Sequence, residues 1–144
     1  MQGLSSCNLF NMHGSAEIVV MSSYAEYAAI HRFIDAFFCG ERYSARFGES
    51  FQLAIKEAFV NAVRHGNREL EDLSVGLSLS SSSGSLFARV TDCGNGFDPD
   101  AIPDPRLHQN LCGRGLFIIR SIAEIIGLER TAGSFTIRLR STPF

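Results

Sequence analysis

Apolar residues along this chain change their spacing several times, and each change marks an element. Residues 16–21 (A-E-I-V-V-M) read as a short strand. From Tyr27 the apolar positions fall at Tyr27, Ile30, Ile34 and Phe37, steps of three and four that predict a helix. Ser23 and Glu26 precede it in the capping-box pattern, where the serine oxygen and the glutamate each satisfy a free amide. Gly40 is the expected stop. A second helix is expected to begin near residues 47–50. It carries Phe51, Ile55, Ala58, Phe59 and Ala62 on one face and ends at Gly66. The period then becomes two: Leu73, Val75, Leu77 and Leu79 alternate with smaller or polar residues, as do Leu86, Ala88 and Val90. The six residues between these runs, Ser80-Ser-Ser-Ser-Gly84-Ser85, predict a hairpin turn.

Residues 97–112 contain Pro99, Pro103 and Pro105, which exclude a regular helix. A stretch of that length without structure, inside a compact domain, reads as a functional loop. Residues 113–124 predict a third helix. Residues 127–130 and 134–140 predict a last strand pair, with Phe135, Ile137 and Leu139 on one face. Neither an internal repeat nor a domain boundary interrupts the pattern. The expectation is one domain over 1–144 with its core at about 16–140. The element order predicts an α+β fold: a two-layer sandwich of helices on one face of a mixed, mostly antiparallel sheet.

Composition narrows the partners. With 45% apolar and 19% charged residues the chain is globular. A net charge of −2 argues against direct nucleic-acid binding. No apolar run reaches the ~18 residues of a membrane span, and the first ten residues hold no Lys or Arg, so no secretory signal is expected. The cysteines at 7, 39, 93 and 112 show no C-x-x-C spacing, and the expected compartment is the reducing cytoplasm. Cys93 and Cys112 lie within the candidate site, where oxidation would impair binding, although the plainer reading is of small apolar residues.

Three polar segments carry the candidate chemistry. In Glu57-Ala-Phe-Val-Asn61, the carboxylate and the amide stand one helical turn apart, on a flank bordering the apolar stripe. A carboxylate there can take a proton, and an amide oxygen can ligate Mg²⁺; an exposed helix flank fits the same residues. Asp92-Cys-Gly94-Asn-Gly96 ends a strand. Its acid can accept from an exocyclic amine and its glycines admit a flat ligand, while an Asp-capped turn is the alternative. Gly113-Arg114-Gly115-Leu116 opens the third helix, whose free amides and dipole attract phosphate; an ordinary loop-to-helix junction is again the alternative. Leu116, Phe117, Ile119 and Ile122 read as core residues first.

In this order, the three segments resemble the GHKL superfamily of ATP-binding domains. The longer runs narrow the resemblance: Glu57-Ala-Phe-Val-Asn61-Ala-Val-Arg-His65-Gly66, Asp92-x-Gly94-x-Gly96-Phe97-Asp98-Pro99 and Gly113-Arg114-Gly115-Leu116-Phe117-Ile118-Ile119. These look like the anti-sigma-factor serine kinases of bacteria, over roughly residues 16–140. The resemblance implies the Bergerat ATP-binding fold, with ATP and Mg²⁺ as cofactors. It implies Glu57 as the general base and Asn61 as the metal ligand. The nucleotide-binding set it implies is Asn61, His65, Asp92, Gly94, Gly96, Phe97, Arg106, Gly113, Arg114, Gly115 and Leu116. Asp92 would read the adenine amine and Gly96 would line the base pocket. Residues 98–112 would form a lid ending on the phosphates at Gly113 and Gly115.

The implied activity is phosphorylation of a serine on a small anti-anti-sigma protein of the STAS type, with a sigma factor sequestered as second partner. The resemblance also makes a homodimer plausible. Two other readings share the motifs: a regulatory module that binds ATP without transferring phosphate, and a detached histidine-kinase catalytic domain. A complete sensor histidine kinase is not expected, because only about 45 residues precede the second helix. The chain departs from the family in having Gly133-Ser134 for Gly-Thr. Its segment 106–112 is not matched. Arg106 also fits an exposed arginine, and His65 a helix-end histidine near the negative end of the dipole.

Overall fold

The computed structural model describes residues 9–11 (backbone), 14–41, 43–94 and 114–143. The expected lid, together with Gly96, Phe97, Arg106, Gly113, Cys7 and Cys112, lies outside the described residues.

Six strands form one sheet: β1 (Leu9–Asn11), β2 (Ser15–Met21), β3 (Ser74–Ser82), β4 (Ser85–Asp92), β5 (Glu124–Thr131) and β6 (Ser134–Ser141). Their spatial order is β1-β2-β3-β4-β6-β5. Every ladder among the described residues is antiparallel. Three helices, α1 (Tyr27–Glu41), α2 (Ala45–Asn61) and α3 (Arg114–Ile122), complete the two-layer α+β sandwich.

The period-two runs decide which face is covered. Val75, Leu77 and Leu79 of β3, Leu86, Ala88 and Val90 of β4, and Phe135, Ile137 and Leu139 of β6 are all buried in one core. Ile30, Phe33, Ile34 and Phe37 of α1 meet them, with Phe47, Phe51, Ile55 and Phe59 of α2. Burying each of these large side chains contributes about 1.5–3 kcal/mol. The opposite sheet face stays open, carrying Glu17, Ser78, Arg89, Thr91, Thr136 and Arg138 together with the apolar Val19, Met21 and Phe87.

Toward the core α2 turns Phe47, Phe51, Ile55, Ala58 and Phe59, with Ala62 following just beyond its end. An aromatic cluster of Phe38, Tyr43, Phe47 and Phe51 sits at its N-terminal end. The pocket described below lies at the other end, where the small side chains of Ala58 and Ala62 face the sheet.

Several local expectations change. Ser23 makes no side-chain cap; its carbonyl accepts from the Glu26 N–H, and a 3₁₀ turn, Tyr24–Glu26, leads into α1 instead of a capping box. Ser44 is a true cap, accepting from the Phe47 N–H at 3.2 Å, so α2 starts earlier than the apolar pattern shows. The serine run is not a six-residue turn. Ser80, Ser81 and Ser82 stay in the ladder opposite Phe87, Leu86 and Ser85. Only Ser83 (φ 52°) and Gly84 (φ 78°) turn, both left-handed as a two-residue hairpin requires. The third helix stops at Ile122, and residues 124–131 pair with β6, Leu128 and Ile125 supplying partly buried apolar contacts.

Candidate functional site

The C-terminal end of α2 builds the site. After Asn61 the backbone widens into a π turn, Ala62–Gly66, and the Asn67 N–H reaches back to the Ala62 carbonyl at 2.8 Å. Such insertions re-aim the residues that follow and recur at functional sites. Gly66 does not end the helix through a left-handed φ, as its place in the sequence suggested. The left-handed residues are Arg68 (φ 53°) and Glu69 (φ 60°), a conformation costing about 1–2 kcal/mol each for L-residues. The surrounding bonds hold it: Glu69 N–H to the Val63 carbonyl at 2.8 Å, and Tyr24 hydroxyl to Glu69 Oε1 at 2.8 Å.

Two close approaches join the three sequence segments. A Cβ at Gly66 would lie 2.2 Å from the Asp92 carboxyl carbon, and one at Gly94 would lie 2.4 Å from the Gly66 carbonyl oxygen. A Cβ at Gly115 would lie 2.9 Å from Glu57 Oε2 and 3.4 Å from the amide atoms of Asn61. At Gly66 and Gly94 a side chain would overlap the Asp92 carboxyl or the backbone, and at Gly115 it would displace the flexible end of Glu57. Gly66, Asp92 and Gly94 thus form one contact, and Glu57, Asn61 and Gly115 form another. Asn61, four residues after Glu57 and five before Gly66, links the two.

Between them lies a pocket lined by Ala58, Asn61, Ala62, His65 and Gly66, by Val90 and Asp92, and by Ile119 and Ile137. Its floor is apolar, with Asp92 as its carboxylate. The cavity volume is about 40 Å³, room for two or three waters and too small for a planar base unless it opens further.

Asp92 is only 7% exposed. Burial pushes its carboxyl above the ordinary value, while the Gly94 N–H, donating to Oδ1 at 2.7 Å, opposes the shift. The charged form therefore stands in a poorly hydrated site with one oxygen engaged. A further hydrogen-bond donor from a ligand would favour it.

Of the residues expected at a nucleotide, Asn61, His65, Asp92, Gly94 and Gly115 come together here with Glu57. Arg114 opens α3 and is exposed. Leu116 is 2% exposed, so only its backbone could face a phosphate. Cys93 is exposed rather than packed as a small apolar residue, its Sγ 3.7 Å from the Ser74 carbonyl. Among the described residues no group of three His, Cys, Asp or Glu could hold a metal. Asn61 fits Mg²⁺ only as a single oxygen ligand, the remainder being phosphate oxygens and water, which is how Mg²⁺ is commonly bound.

Sequence reasoning missed Asn67 and Ser22. Both are fully buried. Asn67 Nδ2 donates to Ser22 Oγ at 3.0 Å and to the Ser74 carbonyl at 2.9 Å, and its Oδ1 accepts from the Cys93 N–H at 2.7 Å. An asparagine directly after a helix-ending glycine was the one available cue, and it looks like any turn residue.

Comparison with known proteins agrees with this fold. Residues 20–141 match the histidine kinase-like ATPase domain, and the chain belongs to that family. No curated protein matches it. Among solved structures it is similar to the RsbU and RsbW domains of Rv1364c from Mycobacterium tuberculosis, with a TM-score of 0.61 and 18% identity over 90% of this chain and 32% of that one. It is also similar to the Erythrobacter litoralis EL346 blue-light activated histidine kinase, with a TM-score of 0.52 and 22% identity over 69% of this chain and 31% of that one. The histidine kinase domain of the same protein gives a TM-score of 0.51 and 22% identity over 79% and 59%. At these identities the likeness is one of fold. No helix among the described residues is long and apolar enough to cross a membrane.

Proposed function

We propose that this domain binds Mg·ATP and transfers its terminal phosphoryl group to a serine of a STAS-type anti-anti-sigma protein, and that it sequesters a sigma factor in the cytoplasm. The observation supporting this reading most directly is the convergence of Glu57 and Asn61 on Gly115, beside a pocket whose buried acid is Asp92. In this reading Asp92 accepts from the adenine amine, with Gly94, Gly96 and Phe97 around the base. Gly113, Arg114, Gly115 and Leu116 present backbone amides to the phosphates, as helix starts do. Asn61 holds Mg²⁺, His65 and Arg106 reach the phosphates, and residues 98–112 close over the nucleotide.

Glu57 takes the proton from the substrate serine hydroxyl. The serine oxygen bonds to the γ-phosphorus, the bond from that phosphorus to the bridging oxygen breaks, and ADP leaves. Positioning and electrostatics supply most of the rate in such transfers, while a general base contributes typically about 10²–10⁴-fold. The Glu57→Gln variant is therefore expected to bind ATP normally and to lose phosphotransfer by at least about a hundredfold. The check is radiolabel transfer from ATP to a cognate STAS protein, beside calorimetric ATP binding. Tight ATP binding with no labelled serine on any cognate partner would leave a non-transferring nucleotide module. An acid-labile product would move the acceptor to a histidine.

A homodimer belongs to the same proposal, and the open sheet face fits it. Every outward residue of β3 is small (Ser74, Gly76, Ser78, Ser80), so the strand forms a trough between β2 and β4. Glu17 and Arg89 stand on opposite sides of it in one register row with Ser78. Among the described residues neither has a partner, whereas Arg138 and Arg140 are paired with Glu129 and Glu124. A two-fold axis along β3 would set Glu17 of each copy over Arg89 of the other.

A further inference from the structure

We infer that Asn67 is a positioning residue that holds Asp92 at base-reading distance and thereby sets the preference for a base bearing an exocyclic amine. The inference rests on the nucleotide reading above and deepens it.

Asn67 follows Gly66 directly, and Cys93 follows Asp92 directly. The bond from the Cys93 N–H to Asn67 Oδ1, 2.7 Å long, therefore ties the residue after the acid to the residue after the glycine. That tie keeps the Asp92 carboxylate in the space where Gly66 has no side chain. A second contact reinforces it, since Gly94 sits against the Gly66 carbonyl. The amide nitrogen does different work. It donates to Ser22 Oγ, beyond the end of β2, and to the Ser74 carbonyl, at the start of β3. Ser22 is itself bonded through its backbone N–H to the Leu73 carbonyl at 2.9 Å.

Three neighbouring strands are thus gathered at the end of the sheet under the π turn. All of Asn67's hydrogen-bonding capacity is directed inward, and its side chain is fully buried. The two halves of the amide separate by role. The nitrogen side braces the sheet end, and the oxygen side locates the strand that carries Asp92.

That division makes a positioning role distinguishable from a merely structural one. Inosine triphosphate carries a carbonyl oxygen where adenine carries its amine and an N–H at N1 where adenine has an acceptor, so the ratio of ATP to ITP affinity reads the base edge that Asp92 faces and leaves the triphosphate contacts out. The wild-type protein is expected to prefer ATP by about tenfold or more. Asn67→Ala is expected to shrink that preference at least about fivefold with ITP affinity nearly unchanged, because the triphosphate contacts of Asn61 and α3 remain. Ser22→Ala removes one acceptor of the nitrogen side only. It is expected to lower the thermal midpoint while leaving the ratio intact. If Asn67→Ala does not fold, Asn67→Ser, whose hydroxyl is too short to reach the Cys93 N–H, is measured in its place with the same expectation.

Equal loss of ATP and ITP affinity in the Asn67 variant, or an unchanged ratio, would overturn the positioning role while the nucleotide site stood. A collapse of the ratio in Ser22→Ala matching that in Asn67→Ala would also overturn it. A wild-type protein that binds neither nucleotide would overturn the site reading, and the inference with it.

Discussion

Asp92 carries two opposing demands. Its inward place on β4, in phase with Val90, buries a charge, and burial raises its carboxyl above 3.8, its ordinary value. The folded state then holds the proton more tightly than the unfolded chain. Between 3.8 and the raised value the folded chain binds more protons, so stability falls as pH rises through that window and stays lower above it. In the proposed function base reading needs the charged acceptor, so ATP affinity is expected to fall as pH drops through the raised value. Asp92→Asn removes the buried charge but keeps an oxygen for the Gly94 N–H. Its thermal midpoint at neutral pH is expected to equal or exceed that of wild type, with a shallower pH dependence. ATP affinity is expected to fall about ten- to a hundredfold, the effect of a buried donor left unpaired. Scanning calorimetry across pH and isothermal titration test the two halves. A lower midpoint, or unchanged ATP affinity, would contradict the account of this residue.

The π turn is the element that shapes the candidate site at the end of α2. Helical spacing in the sequence predicted α2 and its apolar stripe, and Phe51, Ile55, Phe59 and Ala62 are all buried as expected. Spacing could not show the widened turn, because the insertion changes backbone bonding without changing residue types. The same blindness explains the serines of β3. Serine is favoured in turns, and pairing with Phe87 and Leu86 on one side and with Ser15 and the Gly14 carbonyl on the other keeps Ser80 and Ser81 in the ladder. Gly66 looked like a helix stop, yet its absent side chain is required by Asp92 across the interface. Gly66→Ala is therefore expected to cost about 1–3 kcal/mol of stability, as overpacking does. It is also expected to weaken ATP binding more than tenfold by displacing Asp92, an effect of about 1.4 kcal/mol or more. A variant that melts and binds like wild type would show that the contact relaxes freely.

Considered as a molecule, the sandwich has one face covered by helices and one left open. The open face between β2 and β6 spans four strands about 4.8 Å apart and seven residues of about 3.3 Å, roughly 450 Å² per copy. Doubled, that lies just under the roughly 1,000 Å² expected of a stable interface, so the dimer is expected to be weak, on the order of micromolar. Glu17→Arg and Arg89→Glu should each weaken self-association about tenfold, since each sets like charges opposite one another twice. Mixed together the two variants should associate, because every opposed pair is then complementary. Sedimentation of each variant and of the mixture reads the outcome. Failure of the mixture to associate, with wild type dimeric, would place the interface elsewhere.

Periodicity and glycine placement were enough to read the layers and the element order, and to pick out the segments that meet at the candidate site, because local spacing alone decides which face of a helix or strand is apolar. They could not reveal that Gly66 is empty for Asp92, that Gly115 lies against Glu57 and Asn61, or that Asn67 ties three strand ends together. Those relations join residues as far as 58 positions apart in the chain. Only packing of the two layers brings such residues within bonding distance, and a spacing rule that spans a few residues carries no record of it.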